Sequence, residues 1–425
     1  MTAVVWFRRD LRVHDHPPLV AALREHERVV PLFVLDPRLI GGRFRSANRT
    51  QYLLDCLRAL DGELRGRGGR LVVRVGRFED VLPAVAEEAG ADAVYAAGDV
   101  SPYARGRDRR VAERVDLRLG PGLFIARLGA LETKAGTPFR VYSPFRRAWA
   151  EQPRRAMEPA PEAIRVPEAV RSEAIPGLED LGFDGPACEL EDRPEPGEAA
   201  ALAATDAWAR DGAADCADTR NVLAEPTSRM SQYLHFGCLS PLRLEAATRS
   251  APKYRQELAW RDFYAYVKLH GGADRPNPRW SEDPEALAAW QAGRTGFPVV
   301  DAAMRQLVAC GWMHNRARMI VASFLTKDLH IDWRLGEAFF MEHLIDGDLA
   351  SNNGGWQWVA GTGSDPQDYT RVFNPALQQE RFDPDGRYVR RWLPELGTPD
   401  YPAPIVDHGL ERRRAIAAFR EMKSP

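Results

Sequence analysis

The chain lacks the features that define several common classes. Its five cysteines, Cys56, Cys188, Cys216, Cys238 and Cys310, are scattered and odd in number, with no Cys-x-x-Cys spacing. That argues against a disulfide framework and against a zinc or iron–sulfur site, and for free thiols in a reducing compartment. No run is long and apolar enough to span a bilayer. The opening residues, MTAVVWFRRDLR, pass directly from an apolar strand into charge, unlike a secretory signal, so a cytoplasmic location is expected. No G-x-G-x-x-G follows the first strand, which argues against a standard dinucleotide site there. Internal repeats and low-complexity tracts are absent. The net charge of −2 argues against a non-specific polycation but leaves room for a local basic face. Nearly all the positive charge is arginine, which compositional bias explains better than phosphate recognition.

What is present implies two domains, since 425 residues exceed one ordinary core. Ala3–Phe7, Val29–Asp36, Leu71–Gly76 and Ala93–Asp99 read as apolar strands, separated by stretches of helical spacing. This alternation predicts an α/β domain with a parallel, doubly wound, Rossmann-like sheet over residues 1–130. Ligands of such a sheet lie beyond the carboxyl ends of its strands, where Asp36 and Asp99 fall. Residues 131–200 read as a linker, because from about Glu151 they are rich in Pro, Glu and Ala with little periodicity. Residues 201–425 read as an all-α domain, and tryptophan and histidine concentrate there.

The most informative segment is Asp346–Trp358, DGDLASNNGGWQW. Two aspartates, two asparagines, a Gly-Gly pair and two tryptophans exceed what a core needs, and they suit an aromatic cofactor with an aromatic substrate. Three further clusters carry chemistry. In TSRMSQYLHF, from Thr227, hydroxyls and Arg229 precede an apolar helix; a phosphate site competes with plain N-capping, and capping is favoured in isolation. In ELAWRDFYAY, Glu257, Arg261 and Tyr264 share one helical face, with Trp260 beside Glu257. The simple alternative is an exposed Glu257–Arg261 pair. In GWMHNRARMI, Asn315, Arg316, Arg318 and Met319 open a helix, and a buried arginine there needs an acid such as Asp346 or Asp348.

These segments, with RTGFPVVDAAMRQL, KDLHIDWR, RVFNP and the N-terminal WFRRDLRVHDHPPL, occur in an order that resembles the photolyase/cryptochrome family. The resemblance covers nearly the whole chain and is greatest to class I cyclobutane pyrimidine dimer photolyases. It implies an all-α FAD-binding domain and light-driven electron transfer from reduced, anionic FAD to a pyrimidine dimer flipped out of UV-damaged DNA, photolyases being among the enzymes known to flip bases. Thr227, Ser228, Arg229, Met230 and Ser231 would hold the pyrophosphate, with Arg261 nearby. Asn315, Arg318, Asp346, Gly347, Asp348 and Asn352 would surround the flavin. Trp356, Trp333 and Trp280 match the family's electron-transfer chain. Glu257, Trp260, Tyr264, Asn315, Met319 and Trp358 would contact the dimer, and Arg220 and Arg316 the DNA phosphates.

The match departs from the family pattern in places. Cys216 stands where a tyrosine is usual, and Tyr254 where a tryptophan is common. An antenna chromophore is expected in the N-terminal domain, deazaflavin rather than folate, with Arg9, Asp36 and Asp99 as contacts. No protein partner, membrane or metal is expected, and a monomer is. The alternative is a cryptochrome-type blue-light photoreceptor; such proteins often carry a long C-terminal extension, whereas this sequence stops soon after RWLPEL. A (6-4) photolyase usually has paired histidines where His314 is followed by Asn315.

Overall fold

The computed structural model describes residues 1–184, 188, 193–272, 280–366 and 370–423. Residues 185–187 and 189–192 of the expected linker lie outside them. The chain forms two compact units. The first comprises Met1–Ala187, Pro194–Ala214 and Ser228–His270; the second comprises Cys188–Arg193, Asp215–Thr227 and Gly271–Pro425. No helix among the described residues is long and apolar enough to cross a membrane.

The first unit is built on a five-stranded parallel sheet. Its strands are β1 (Thr2–Phe7), β2 (Arg28–Leu35), β3 (Val72–Val75), β4 (Ala91–Ala97) and β5 (Leu117–Gly120), in the order β3-β2-β1-β4-β5. The central β1 is buried along its whole length, which is why it reads as an unbroken apolar run. The first four strands agree with the sequence reading to within two residues at their ends. β5 was not foreseen: LRLG is short, sits at the sheet edge and exposes Leu119, so it carries almost no apolar signal.

Residues 131–200 are less bare than a linker. They contain the helix Tyr142–Glu151, which buries Phe145 and Trp149. Extended chain beyond it is tied to the sheet layer: Val29 N–H donates to Arg165 O at 2.8 Å, and Glu173 N–H to Val73 O at 2.9 Å.

Four helices from the expected all-α half join this unit: Glu198–Asp211, Ser231–Phe236, Pro241–Ala247 and Pro252–Leu269. Buried polar contacts hold them. Glu198 accepts from the N–H groups of Val13 and His14 at 2.7 and 2.9 Å, and Arg12 donates to Gly237 O at 3.0 Å. Such contacts leave no trace in hydrophobic periodicity.

The second unit is helical. Its principal helices are Pro284–Gln291, Pro298–Cys310, Asn315–Ser323, Trp333–His343, Leu349–Ala360, Pro375–Phe382, Arg387–Trp392 and His408–Lys423, with a π-helical turn at Phe324–Asp328. One core of leucine, valine and aromatic side chains fills it, and Trp290, Trp333 and Trp356 lie within that core. None of the five cysteines is joined in a disulfide.

Candidate functional site

In the second unit, residues close to two helix starts meet. His314 caps the helix Asn315–Ser323, its Nδ1 accepting from Arg316 N–H at 3.0 Å. Arg318, one turn in, donates to Met313 O at 2.9 Å and to both carboxylate oxygens of Asp346 at 3.1 and 2.9 Å. The acid that Arg318 requires is therefore Asp346. Asp348 instead caps the helix Leu349–Ala360, accepting from Ala350 and Ser351 N–H at 3.1 and 2.8 Å. That helix carries Asn352, Trp356 and Trp358. Asn352 donates to Glu337 O at 3.1 Å, and Asn353 to Glu337 Oε1 at 2.9 Å. This bridge locks Leu349–Ala360 onto Trp333–His343. Glu337 was not singled out from sequence.

The three tryptophans of the expected electron chain pack on one core. Trp356 is buried, edge-to-face with Trp290 at 6.2 Å and with Phe340 at 5.0 Å. Its ring rests on Gly336, where a Cβ would overlap the indole and come within 2.7 Å of Leu325 Cδ2. Trp333 is buried at the start of its helix, with the Arg334 guanidinium 4.8 Å from its ring centre. Trp280 is only partly buried. Its neighbour Ser281 donates to His330 O at 2.7 Å and bridges Ile331, which draws Trp280 toward the chain leading into Trp333.

His314 Nε2 is buried with no hydrogen-bond partner. Burial, and then the charges of Arg316 and Arg318, push the imidazole down to about 4. Arg316 points away from Arg318, donating to Asn221 Oδ1 at 2.8 Å and lying over Phe382. Burial lowers its guanidinium to about 10, and repulsion from Arg220, Arg371 and Arg381 adds to that. Four arginines thus share one region. Arg371 and Arg381 were missed because they are far from Arg220 and Arg316 in sequence. Cys216 is buried in the short helix Cys216–Thr219, and Thr227 ends the stretch that follows.

In the first unit, the helix Pro252–Leu269 carries Glu257, Trp260, Arg261 and Tyr264. Asp262 fixes its rotation: fully buried, it accepts from Ile125 N–H at 3.1 Å, Ala126 N–H at 3.0 Å and Trp149 Nε1 at 2.9 Å. Burial still lifts its carboxyl above the usual range, outweighing Arg261 and those donors. Arg261 donates to Leu123 O at 2.9 Å, and Glu257 lies 3.9 Å from Lys253.

Plain capping does not explain the hydroxyls near Arg229. The helix Ser231–Phe236 has Met230 at its N-cap and no side-chain capping bond. Ser228 Oγ accepts from Tyr254 OH at 2.9 Å, and Arg229 adopts a left-handed backbone with φ 51°. Met230 is buried, its sulfur 3.7 Å from Thr205 Oγ1. Gln232 Nε2 is buried with no hydrogen-bond partner.

At the strand ends, Asp36 pairs with Arg38, and Asp99 lies 3.5 Å from Arg9. Burial works against both carboxylates, yet their arginines and backbone N–H donors hold them below the usual range.

Comparison with known proteins decides the family. Residues 3–166 match the model for DNA photolyase, and residues 254–399 match the FAD binding domain of DNA photolyase. The deoxyribodipyrimidine photo-lyase of Streptomyces griseus is 40% identical, over 97% of this chain and 98% of its own. One from Thermus thermophilus is 41% identical, over 99% and 98%.

The chain belongs to the DNA photolyase family.

Solved structures agree. A class III photolyase from Agrobacterium tumefaciens superposes with a TM-score of 0.92 at 35% identity, covering 100% of this chain and 98% of that one. An archaeal photolyase from Sulfolobus tokodaii with two FAD molecules gives 0.89 at 29%, covering 99% and 100%. A Synechocystis cryptochrome gives 0.89 at 30%, covering 98% and 99%.

This photolyase-family chain therefore carries an FAD-binding domain. Its donor set fits such a group. Arginine, hydroxyl and amide donors suit a pyrophosphate and a flavin, and the orphaned Gln232 amide is a buried donor awaiting an acceptor.

Proposed function

We propose that the protein repairs cyclobutane pyrimidine dimers in UV-damaged DNA by light-driven electron transfer. The observation that carries this reading is the helix Leu349–Ala360. It is capped by Asp348, follows the Arg318–Asp346 pair, and bears Asn352 and the two tryptophans Trp356 and Trp358. When bound, reduced FAD supplies the photoexcited electron that opens the cyclobutane ring and is restored at the end.

The protein's own groups do the rest. Thr227, Ser228, Arg229, Met230, Ser231 and Arg261 bind the pyrophosphate side of the cofactor. For Met230, whose side chain is buried against Thr205, the contribution is its backbone. Asn315, Arg318, Asp346, Gly347, Asp348 and Asn352 surround the flavin, with Arg318 and its acid as a fixed dipole that favours the anionic form. Trp356, Trp333 and Trp280 recharge the cofactor stepwise. Their burial supports this, since two are buried and Trp280 reaches partial exposure. Glu257 hydrogen-bonds the dimer, while Trp260, Tyr264, Asn315, Met319 and Trp358 shape its cavity. Arg220 and Arg316 meet phosphates, joined by Arg371 and Arg381, whose mutual repulsion an anion relieves.

The reading includes functional limits of 1–130, 131–200 and 201–425, a cytoplasmic monomer, and a deazaflavin antenna at Arg9, Asp36 and Asp99. The structural relative with two FAD molecules keeps a flavin antenna in contention. Purified, FAD-reduced protein should split a thymine dimer in an oligonucleotide under blue light. Persistent dimers alongside normal flavin photoreduction would sink the repair reading and favour a photoreceptor.

A further inference from the structure

One face of Trp260 is already covered. The Tyr142 ring lies parallel to the indole, with centroids 3.6 Å apart and planes 8° apart. Aromatic pairs left to themselves prefer offset or edge-to-face arrangements with wider centroid spacing. A near face-to-face stack is therefore imposed by its surroundings, and those are visible. Phe263 sets its edge against both rings, at 5.7 Å and 71° to Tyr142 and at 5.6 Å and 79° to Trp260. Tyr142 OH donates to Gln256 O at 2.8 Å. Tyr142 opens the helix Tyr142–Glu151, which is anchored by the buried Phe145 and Trp149. The phenol also senses the carboxylate next to Gln256: burial first, then the charge of Glu257, push its ionisation well above the usual range.

We propose that Tyr142 is a positioning residue for dimer recognition. It holds Trp260 from one side, so that the opposite indole face is preset to stack on flat pyrimidine rings. This rests on the reading of Trp260 and Glu257 as substrate contacts. Without Tyr142 the indole regains rotamer freedom, which must be removed again on binding. Ordering one such side chain costs roughly two- to tenfold in affinity. The loss falls on damaged DNA alone, because phosphate contacts carry the affinity for undamaged duplex.

The test uses full-length, FAD-loaded protein and two oligonucleotides of one sequence, with and without a thymine dimer. Repair by the unaltered protein is the control; its failure would remove the functional reading, not this assignment alone. Tyr142→Leu should weaken dimer binding by about two- to tenfold, with FAD content and affinity for undamaged DNA unchanged. Tyr142→Phe keeps the stack and should recover most of the loss. The double variant Tyr142→Leu/Trp260→Phe should bind no more weakly than Trp260→Phe alone, since both act through one indole. Equal loss on both DNAs, additive losses in the double variant, or a phenylalanine variant as weak as the leucine one would overturn the proposal. If the leucine variant does not fold, Tyr142→Met fills the same volume without a flat ring and is judged by the same comparison.

Discussion

Trp356 and Trp260 are the same residue type in opposite settings. Trp356 is enclosed by Trp290, Phe340 and the bare backbone of Gly336. Trp260 is half-buried, braced by Tyr142 on one face and by Phe263 at its edge. An electron relay needs a ring whose distance to its neighbours never changes, and dense packing supplies that. A stacking platform needs a ring held still yet left open on one side. The contrast separates charging the cofactor from recognising the substrate, and each can be broken without the other.

The largest expected effect is Trp356→Phe. It removes the oxidisable indole and leaves an aromatic ring in its place. Photoreduction of oxidised flavin should fall to the rate of an unassisted control, while pre-reduced protein still repairs dimers. Transient absorption and a repair assay read the two separately, and equal loss of both would erase the distinction drawn above.

His314 tests how far the enclosed region depends on neutral burial. Its imidazole sits at about 4, against 6.5 in an unfolded chain. Above 6.5 neither state binds the proton, and stability is full. Between 6.5 and 4 the unfolded chain takes up the proton first, so stability falls with pH, by up to ~3 kcal/mol near the lower end. Urea unfolding at several pH values measures this. His314→Asn preserves a capping side chain and should flatten that part of the profile.

Gly336→Ala sharpens the comparison sterically. The added methyl must displace Trp356 or Leu325. A destabilisation of about 1–3 kcal/mol is expected from overpacking, together with slower photoreduction. Unchanged denaturant midpoint and rate would show that the indole is less confined than its contacts imply.

The smallest effect belongs to the recognition helix. Glu257→Ala should lower affinity for the dimer by about 1 kcal/mol, the worth of one hydrogen bond, without loss of FAD. A drop in FAD content would move Glu257 out of the substrate role.

Much of this was legible in the residues. β1 to β4 are apolar because both faces of a parallel sheet are covered, and burial writes itself into composition. Asp346, Asp348 and Arg318 stood out because polar groups at apolar helix starts need a reason. β5 escaped because an exposed edge strand carries no such mark. Helical spacing put Glu257 and Arg261 on one face of a helix but held nothing of Leu123, whose carbonyl accepts from Arg261.

The amino-acid order alone determined where the apolar surfaces lie, hence the parallel sheet and the helices, which depend on periods of two to four residues that the chain carries locally. Its ordered motifs pointed to the photolyase family by resemblance. Tertiary structure decided the partners. It chose Asp346 over Asp348 for Arg318, gave Glu337 both asparagine amides, set Gly336 under Trp356, and laid Tyr142 on Trp260. Such pairings join residues distant in sequence and are selected by geometry and by the cost of leaving a buried polar group unpaired, which no local pattern records.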